Sequence, residues 1–227
     1  MPLLLEVIVQ SVADARAAAV GGADRLEVVR EIERDGLTPP VELVRAIASE
    51  TDLPLRVMVR ESDGFSVADS RELAALQRAF AAFAAIGVDG AVLGFAHEDE
   101  LDLETTRLVL AAAPGLRATF HRAFDAVHDP DRAIDDLRGL PQIDRILTGG
   151  GAGAPADRCE RLRGYAVRAG GRARIVAGGG LDEPCFALLA RTRYVDEVHV
   201  GRLARENGDP DAPVSLRRMQ WLRELAG

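Results

Sequence analysis

The stretch Thr119-Phe-His-Arg-Ala-Phe-Asp125 decides the fold of this chain. A short apolar run, 116–120, ends there abruptly in the polar residues His121 and Arg122. This pattern is typical of a buried strand that delivers polar side chains at its carboxyl end. Several other apolar runs of the chain end in the same way, which favours a sheet with one polar edge.

Eight apolar runs alternate with eight helical patterns along the chain. The runs are short and rich in Val, Ile and Leu, as expected for parallel strands covered by helices. The predicted strands are Leu3–Val9, Arg25–Val29, Leu55–Val59, Gly90–Leu93, Leu116–Phe120, Arg145–Leu147, Arg174–Ala177 and Glu197–Val200. The predicted helices are Ser11–Val20, Thr38–Ala48, Asp69–Ile86, Asp102–Ala112, Asp129–Leu137, Ala156–Ala169, Pro184–Ala190 and Ser215–Leu225.

This alternation predicts an α/β fold, namely a single TIM-type (β/α)8 barrel that forms one domain over residues 1–227. A doubly wound open sheet is the alternative, but it needs only about five or six strands.

Two helix starts carry capping signals. Ser11 with Asp14 resembles a capping box, and Thr38 with Pro39 resembles an N-cap followed by a first-turn proline. The polar segment 202–213 is predicted to be a loop.

Composition excludes several classes of function. The net charge of −8 argues against a nucleic-acid partner. No apolar run is long enough for a membrane span, and the amino terminus has no signal-peptide pattern, so we expect a cytoplasmic protein. Two cysteines, Cys159 and Cys185, do not make a disulfide framework. The sequence contains no lysine, which excludes Schiff-base chemistry on a side-chain amine and excludes a P-loop.

In a barrel of this kind, function lies at the carboxyl ends of the strands and in the loops that follow. Reading these positions in chain order gives the candidate site. Its residues are Glu6, Glu27, Arg60, His121, Arg122, Thr148, Gly178, Gly179, Gly180, His199, Gly201 and Arg202. Together they predict a site for a small anionic molecule or a metal ion.

Glu6 and Glu27 stand inside apolar strands, where a carboxylate is costly unless it is paired or hydrogen-bonded. We expect their partners among Arg60, Arg122, His121 and His199, the polar residues of the same barrel end. Two interpretations stay open. The two carboxylates either belong to an ion-pair network that closes the barrel, or take part in catalysis as acid–base groups or orienting groups.

His121 is the candidate general acid or base, and Arg122 suits bidentate recognition of a carboxylate or phosphate. Because strand side chains alternate, both cannot point inward unless the strand has ended, and we expect His121 to be the inward residue. Arg60 is a second candidate for anion binding.

Two glycine runs, 149–151 and 178–180, follow the sixth and seventh predicted strands. Glycines let backbone N–H groups approach a bound anion, and barrel enzymes often hold phosphate in the last two loops. Gly178–Gly180, with Gly201 and Arg202, therefore form a candidate anion site, although a tight turn explains the glycines equally well. Two His and two Glu from four strands could also coordinate Zn²⁺ or Mn²⁺, but their spacing in the sequence does not test this.

The chain resembles the CutC-type family, which is named for copper homeostasis. The matching pieces, in family order, are Leu5-Glu-Val7, Gly22-Ala-Asp-Arg-Leu-Glu27, Gly36-Leu-Thr-Pro39, Arg60, Thr119–Asp125, Arg145-Ile-Leu-Thr148, Gly178–Gly180 and Glu197-Val-His199. The resemblance implies a cytoplasmic TIM-type barrel that forms dimers or larger homo-oligomers. It also implies copper as the cofactor or cargo.

The chain departs from the family pattern in two places. Family members often carry cysteines just after the Glu of the first and second strands, where this chain has Ile8, Val9, Val28 and Val29. Cu(I) prefers thiolate and thioether ligands, so the thiol site that the resemblance implies is missing. After the third strand, the family tends to have Arg-Pro-Arg-Gly-Gly-Asp-Phe, whereas this chain reads Arg60-Glu-Ser-Asp-Gly-Phe65.

Three functional hypotheses follow. The first is a CutC-type protein with the family's copper-homeostasis role. The second is a barrel enzyme of the lyase or isomerase type, acting on a small anionic or phosphorylated metabolite. In it, His121 and a strand carboxylate exchange protons while Arg60 and Arg122 hold the anion. The third is a non-catalytic binding barrel, in which the same residues form only an ion-pair network.

Overall fold

Eight parallel strands close into a barrel in a computed structural model that describes residues 2–227, which confirms the predicted TIM-type fold. Met1, the first residue of the predicted domain, lies outside the described residues. The barrel strands are β1 (Leu4–Val9), β2 (Arg25–Val28), β3 (Leu55–Met58), β4 (Gly90–Leu93), β7 (Arg117–Phe120), β8 (Ile143–Thr148), β9 (Arg174–Ala177) and β10 (Glu197–Val200). The barrel closes where β1 pairs with β10, with Glu6 opposite His199.

A helix follows each barrel strand. The helices are α1 (Val12–Val20), α2 (Val41–Glu50), α3 (Ser70–Ile86), α4 (Leu103–Leu110), α5 (Pro130–Arg138), α6 (Pro155–Ala169), α7 (Glu183–Thr192) and α8 (Leu216–Ala226). Side-chain oxygens of Asp69, Asp102, Asp129 and Asp182 accept backbone N–H bonds at four helix starts, so the acidic caps agree with the predicted boundaries. None of the helices within residues 2–227 combines the length and apolar character required to cross a bilayer.

Two helix starts differ from the prediction. Helix α2 begins at Val41, and the hydroxyl of Thr38 is not its cap. Instead, this hydroxyl donates to the carbonyl of Arg60 and accepts from the Arg60 N–H, both at 2.9 Å, so it ties the β2 loop to the β3 loop. At α1, the Ser11 hydroxyl accepts from the Asp14 N–H as expected, but the Asp14 carboxylate accepts from Gln10 rather than from Ser11.

The sequence did not indicate the small elements on the barrel mouth. A hairpin of β5 (Ala96–His97) and β6 (Glu100–Leu101) lies between β4 and α4. A 3₁₀ helix spans Arg122–Ala126, and two more, Arg202–Ala204 and Glu206–Gly208, lie in the predicted loop before α8. Elements this short carry no periodic signal in the sequence.

Side chains alternate between the two faces of each barrel strand, and this alternation separates two environments. Outward residues such as Leu5, Val57 and Phe120 pack with the helices in the main hydrophobic core. Inward residues near the amino ends of the strands are charged. Arg56 is fully buried there, and it donates to Asp89 at 2.8 Å and to both oxygens of Asp144 at 2.8 and 2.9 Å.

Removal of the Arg56 guanidinium should destabilise the barrel, because Arg56 is the buried cation that lies between Asp89 and Asp144. Without it, Asp144 keeps Arg145 at 2.5 Å, but Asp89 keeps only the exposed Arg117. We expect Arg56→Leu to lower the free energy of unfolding by about 3 kcal/mol, the scale for breaking a buried pair. Urea unfolding at neutral pH measures this change. The control is Arg117→Ala, since Arg117 is 60% exposed and contacts Asp89 only at 3.3 Å, so it should cost less than about 1 kcal/mol. Equal effects of the two substitutions would contradict this assignment.

Candidate functional site

A cavity of about 180 Å³ opens at the carboxyl ends of the barrel strands, where the sequence placed the candidate site. Of the twelve candidate residues, nine line it and three do not. Those in the lining are Glu27, Arg60, His121, Arg122, Gly179, Gly180, His199, Gly201 and Arg202. The lining also contains apolar residues that were not predicted, namely Ile8, Val29, Ile32, Met58, Phe65, Leu147, Leu181, Val200, Leu203 and Pro210.

Glu27 and His199 form the floor of the cavity. Glu6, which does not line the cavity, completes the buried cluster beneath them. Nδ1 of His199 lies 2.8 Å from an oxygen of Glu6 and donates to it. The same nitrogen lies 3.0 Å from Oε2 of Glu27, but this contact lacks hydrogen-bond geometry. Oε2 of Glu27 therefore has no hydrogen-bond partner within residues 2–227. A buried carboxylate oxygen without a partner is uncommon and marks a place where a ligand or a proton can bind.

Partners on the amino-terminal side explain why Glu6 is ionised. Arg25 donates to Glu6 and, at 2.6 Å, to Glu197, which also accepts from Arg145 at 2.8 Å. Burial by itself would raise the pKa of Glu6, but the charges and hydrogen bonds of Arg25 and His199 outweigh it and hold that pKa well below its usual range.

Glu27 and His199 hold protons more tightly than they would in water. Burial raises the pKa of Glu27 to about 7, and the nearby negative charge of Glu6 adds to this effect. Burial opposes a charge on His199, but the carboxylates of Glu27 and Glu6 outweigh burial and raise the pKa of the imidazole. Glu27 thus exchanges its proton near neutral pH, which suits a general acid or base.

The expected partners of the two carboxylates were wrong in part. His199 binds Glu6 as predicted, but Arg60 and Arg122 pair with neither carboxylate, and the cation is Arg25. A sequence signal for Arg25 existed, because it precedes Glu27 by two residues on the same strand and so faces the same way. Glu197 precedes His199 by two residues in the same manner.

His121 directly follows Phe120, the last residue of β7, and is buried. Because the strand has ended, His121 and Arg122 both line the cavity, whereas we expected His121 to be the inward residue. Its Nδ1 accepts from the N–H of Ala123 at 3.1 Å, so the ring proton lies on Nε2, which has no partner within residues 2–227. Burial, together with the charges of Arg60 and Arg122, lowers the pKa of His121 to about 3. The ring is therefore neutral at physiological pH and offers a hydrogen-bond donor. This disfavours the predicted acid–base role for His121.

The arginines differ in how they are held. Arg60 is buried, and its guanidinium donates to the carbonyls of Arg34 at 2.8 Å and of Gly36 and Gly64 at 3.1 Å. Burial lowers its pKa. The guanidinium also lies over the Phe65 ring, with Cζ 5.8 Å from the ring centre. Its direct hydrogen bonds are to backbone carbonyls rather than to carboxylates.

Arg122 is 41% exposed and lies between Asp125 at 3.3 Å and Asp35 at 3.8 Å. Arg202 is exposed at the rim. Both guanidinium groups therefore meet solvent beside the cavity. Because exposed ion pairs are weak, a ligand anion can compete with Asp35 and Asp125 for Arg122.

The glycine loops divide into two roles. Gly179 has φ +70°, and a Cβ at this position would lie 2.4 Å from Nε of Arg122, so only glycine allows Arg122 to pack across the loop. Gly178 and Thr148 do not line the cavity. A Cβ on Gly178 would lie 2.4 Å from Cδ1 of Leu147, so the close packing of Leu147 requires glycine at this position. The Thr148 hydroxyl donates to Asp125 at 2.5 Å outside the cavity.

Glu6, Glu27 and His199 offer three metal-ligand atoms within 4.8 Å of one another. However, Arg25 and His199 already satisfy Glu6, and Nδ1 of His199 carries the proton that it donates. A cation there would have to displace that proton beside a guanidinium. The cluster therefore fits a shared proton better than a metal ion. Cu(I) fits this cavity poorly, since its one sulfur ligand is the thioether of Met58.

The two cysteines lie apart from the cavity, on α6 and α7 as predicted, but the fold brings them together. The sulfur atoms of Cys159 and Cys185 are 3.7 Å apart and both residues are fully buried. Burial raises the pKa of Cys159 to about 12 and also raises the pKa of Cys185, so both are protonated thiols. Sequence separation gave no indication of this contact.

The fold and cavity define a (β/α)8-barrel protein with a polar site at the carboxyl ends of its strands. The model of the CutC family matches residues 3–203, so the chain belongs to the CutC family. A family protein CutC from Caulobacter vibrioides is 37% identical over 87% of this chain and 80% of that protein. The human copper homeostasis protein cutC homolog is 31% identical over 90% of this chain and 76% of that protein.

Among solved structures, a CutC protein from Streptococcus agalactiae superimposes with a TM-score of 0.79. The two chains are 23% identical, and the match covers 87% of this chain and 97% of the other. At this level of identity the likeness supports the fold alone. It agrees with the closed eight-stranded barrel described above.

The pKa of Glu27 gives a prediction about stability. Between pH 4.5 and about 7, folded Glu27 binds more protons than the unfolded residue, so stability falls as pH rises through this window. The raised pKa of His199 acts in the same direction. Glu27→Gln removes the part of this fall that is due to Glu27. The free energy of unfolding of the variant, relative to that of the wild type, should therefore rise by about 3 kcal/mol between pH 4.5 and about 7.

Urea unfolding at several pH values measures this difference. Glu6→Gln is the contrasting variant, because the pKa of Glu6 is lowered and its stabilisation is lost as pH falls. Its deficit against the wild type should therefore grow as pH rises towards 4.5 and stay constant between pH 4.5 and 7, where the Glu27 effect is measured. Parallel pH profiles for the wild type and Glu27→Gln would contradict the assignment of a raised pKa to Glu27.

Proposed function

We propose that the protein is an acid–base enzyme of the lyase or isomerase type that acts on a small anionic metabolite. The observation that carries this proposal is Glu27. It is a buried carboxyl group with an unpartnered oxygen and a pKa raised to about 7, on the floor of the cavity. Groups whose proton exchanges near the working pH are the efficient acids and bases of enzymes.

In the proposed reaction, the Glu27 carboxylate removes a proton from a carbon next to a carbonyl group. The C–H bond breaks, the proton goes to Glu27, and the electron pair moves to the carbonyl oxygen. The neutral His121 ring donates from Nε2 to that oxygen and stabilises its charge. A carboxylate base with a neutral imidazole donor is a pairing that barrel isomerases use for this step.

Glu6 and His199 act on Glu27 rather than on the substrate. The ionised Glu6 holds the His199 ring by its Nδ1–H, and the positive ring faces Glu27 at 3.0 Å. The imidazolium therefore stabilises Glu27 as a carboxylate, while burial and Glu6 favour its protonated form. The balance between these effects keeps Glu27 ready to accept and return a proton.

The anionic group of the substrate binds where cationic side chains meet free backbone donors. Arg122 packs across Gly179, and Arg202 lies at the rim beside Gly201. Within residues 2–227, the N–H groups of Gly179 and Gly180 donate to no acceptor. Guanidinium groups and free N–H groups together recognise carboxylates and phosphates.

Proton exchange into solvent tests the proposal directly. We expect the protein to catalyse deuterium uptake from D₂O at the carbon next to the carbonyl of pyruvate, 4-methyl-2-oxopentanoate or 2-oxoglutarate, followed by ¹H NMR. Glu27→Gln should slow uptake by about 100-fold or more, the scale for losing a general base. His121→Phe should slow it by about 100-fold through loss of a donor.

Arg117→Ala, at the opposite end of the barrel, is the control and should exchange at the wild-type rate. The proposal fails if none of the three probes exchanges faster than in buffer, or if Glu27→Gln matches the wild type. Failure with unchanged folding would favour the third hypothesis, a non-catalytic binding barrel whose charged residues form only an ion-pair network.

Copper binding is the second candidate function, and the contact between Cys159 and Cys185 favours it. A metal ion with bonds of about 2.3 Å to sulfur, the Zn–S length, bridges two sulfurs that lie up to about 4.6 Å apart. The observed 3.7 Å falls within this reach. Cu(I) prefers thiolates, and it would have to displace two thiol protons, so its affinity should rise with pH.

A Cu(I) titration against a competing chelator tests this candidate, with the double variant Cys159→Ser, Cys185→Ser for comparison. Binding by the wild type that is lost in the double variant supports the dithiol site. Binding that survives assigns copper to His, Glu or Met side chains. Absence of binding by the wild type contradicts direct copper binding.

Three further expectations from the sequence stay predictions. They are the single domain, the homo-oligomeric assembly and the cytoplasmic location.

A further inference from the structure

The wall of the cavity is chemically divided. One half comes from the first three strands and the loop after β2, and is formed by Ile8, Val29, Ile32 and Met58. These side chains pack with Val92 in a small hydrophobic cluster that is separate from the main core of the barrel. None of them carries a group that donates a hydrogen bond, and this half faces the cavity rather than a helix.

The other half comes from the loops after β7, β9 and β10. It contains the exposed guanidinium groups of Arg122 and Arg202, and the backbone of Gly179, Gly180 and Gly201. Apolar side chains such as Leu147 and Leu181 also line this half, but both exposed guanidinium groups of the cavity lie here. The third arginine of the lining, Arg60, follows β3; it is buried and donates to three backbone carbonyls, so an incoming anion meets Arg122 and Arg202 first. Glu27 and His199 lie on the floor between the two halves.

The size of the cavity limits the ligand. An engineered protein cavity of about 150 Å³ binds one benzene molecule, so the 180 Å³ here accommodates a ligand of about six to ten non-hydrogen atoms. A nucleotide is too large. A sugar phosphate would place hydroxyl groups against Val29 and Met58, where they would lose their hydrogen bonds to water without replacement.

We infer that the ligand is a small amphipathic anion, with a carboxylate or phosphate at one end and a compact hydrocarbon group at the other. The anionic end meets Arg122, Arg202 and the glycine loops, and the hydrocarbon end covers Ile8, Val29 and Met58. The reacting carbon then lies over Glu27, between the two ends. This inference rests on the proposed function for its site and specifies the substrate class.

Calorimetric binding of three matched probes tests the inference. They are 4-methyl-2-oxopentanoate, pyruvate, which lacks the hydrocarbon end, and 4-methyl-2-pentanone, which lacks the anion. We expect the first to bind at least about tenfold more tightly than either of the others, the scale on which a hydrophobic pocket discriminates by added methylene groups. Inorganic phosphate and methyl phosphate, tested in the same way, distinguish a phosphate end from a carboxylate end.

Two variants test the apolar half and the cationic half of the cavity wall separately. Met58→Gln, similar in volume, should weaken 4-methyl-2-oxopentanoate about tenfold and leave pyruvate unchanged. Arg122→Gln should weaken both acids and leave the ketone unchanged. Ile32→Thr replaces Met58→Gln if thermal melting shows that the latter is unfolded. Equal affinity for pyruvate and 4-methyl-2-oxopentanoate, or no binding of any probe, overturns the inference.

Binding of the probes tests this inference, and deuterium uptake tests the proposed function, so either can fail without the other. Selective binding of 4-methyl-2-oxopentanoate without deuterium uptake overturns the proposed chemistry and keeps the amphipathic ligand. If pyruvate takes up deuterium and the longer acid is not bound more tightly, the proposed chemistry stands but the amphipathic ligand is overturned. Glu27→Gln should still bind the probes, since Glu27 acts on the proton rather than on either end.

Discussion

The ion pairs of Arg25 inside the barrel are the interaction on which the site depends. A carboxylate inside a strand is tolerated only with partners, and Arg25 provides them for both Glu6 and Glu197. Because Glu6 is thereby kept ionised, it can hold His199 in one orientation. Glu27 is left with His199 as its neighbour and with an oxygen that has no hydrogen-bond partner among residues 2–227. The ion-pair network thus leaves a buried carboxyl group with a raised pKa beside it. The two interpretations of the strand carboxylates therefore do not exclude each other.

The barrel topology explains why one cavity has two chemically different halves. All eight strands deliver their carboxyl ends to the same mouth. The strand order places β2 and β3 on one side of β1, and β10 and β9 on the other. Apolar residues continue to the ends of β1, β2 and β3, whereas glycine loops and arginines follow β7, β9 and β10. The closed sheet therefore holds the loops with exposed arginines and glycine backbone across the cavity from the cluster of Ile8, Val29, Ile32 and Met58.

Family membership and copper chemistry point in different directions for this chain. The positions where the family resemblance implies cysteines include those of Ile8 and Val29, and both line the cavity. In this chain, Ile8 and Val29 belong to the hydrocarbon half of the wall. The remaining thiols, Cys159 and Cys185, form a separate buried pair on the outer helices. A shared fold and family name therefore do not determine what this cavity binds.

The sequence by itself determined the alternation of strands and helices, the closed barrel and the polar mouth, because hydrophobic periodicity and helix caps are local signals. It also identified Glu6, Glu27, His121 and His199, since polar residues in apolar strands are conspicuous. Tertiary structure decided which of these residues meet. The Arg25 and Glu6 pairing, the contact of the two cysteines and the neutral state of His121 depend on strand register, helix packing and burial. These bring together residues that are distant in the chain, and no local pattern encodes such distances.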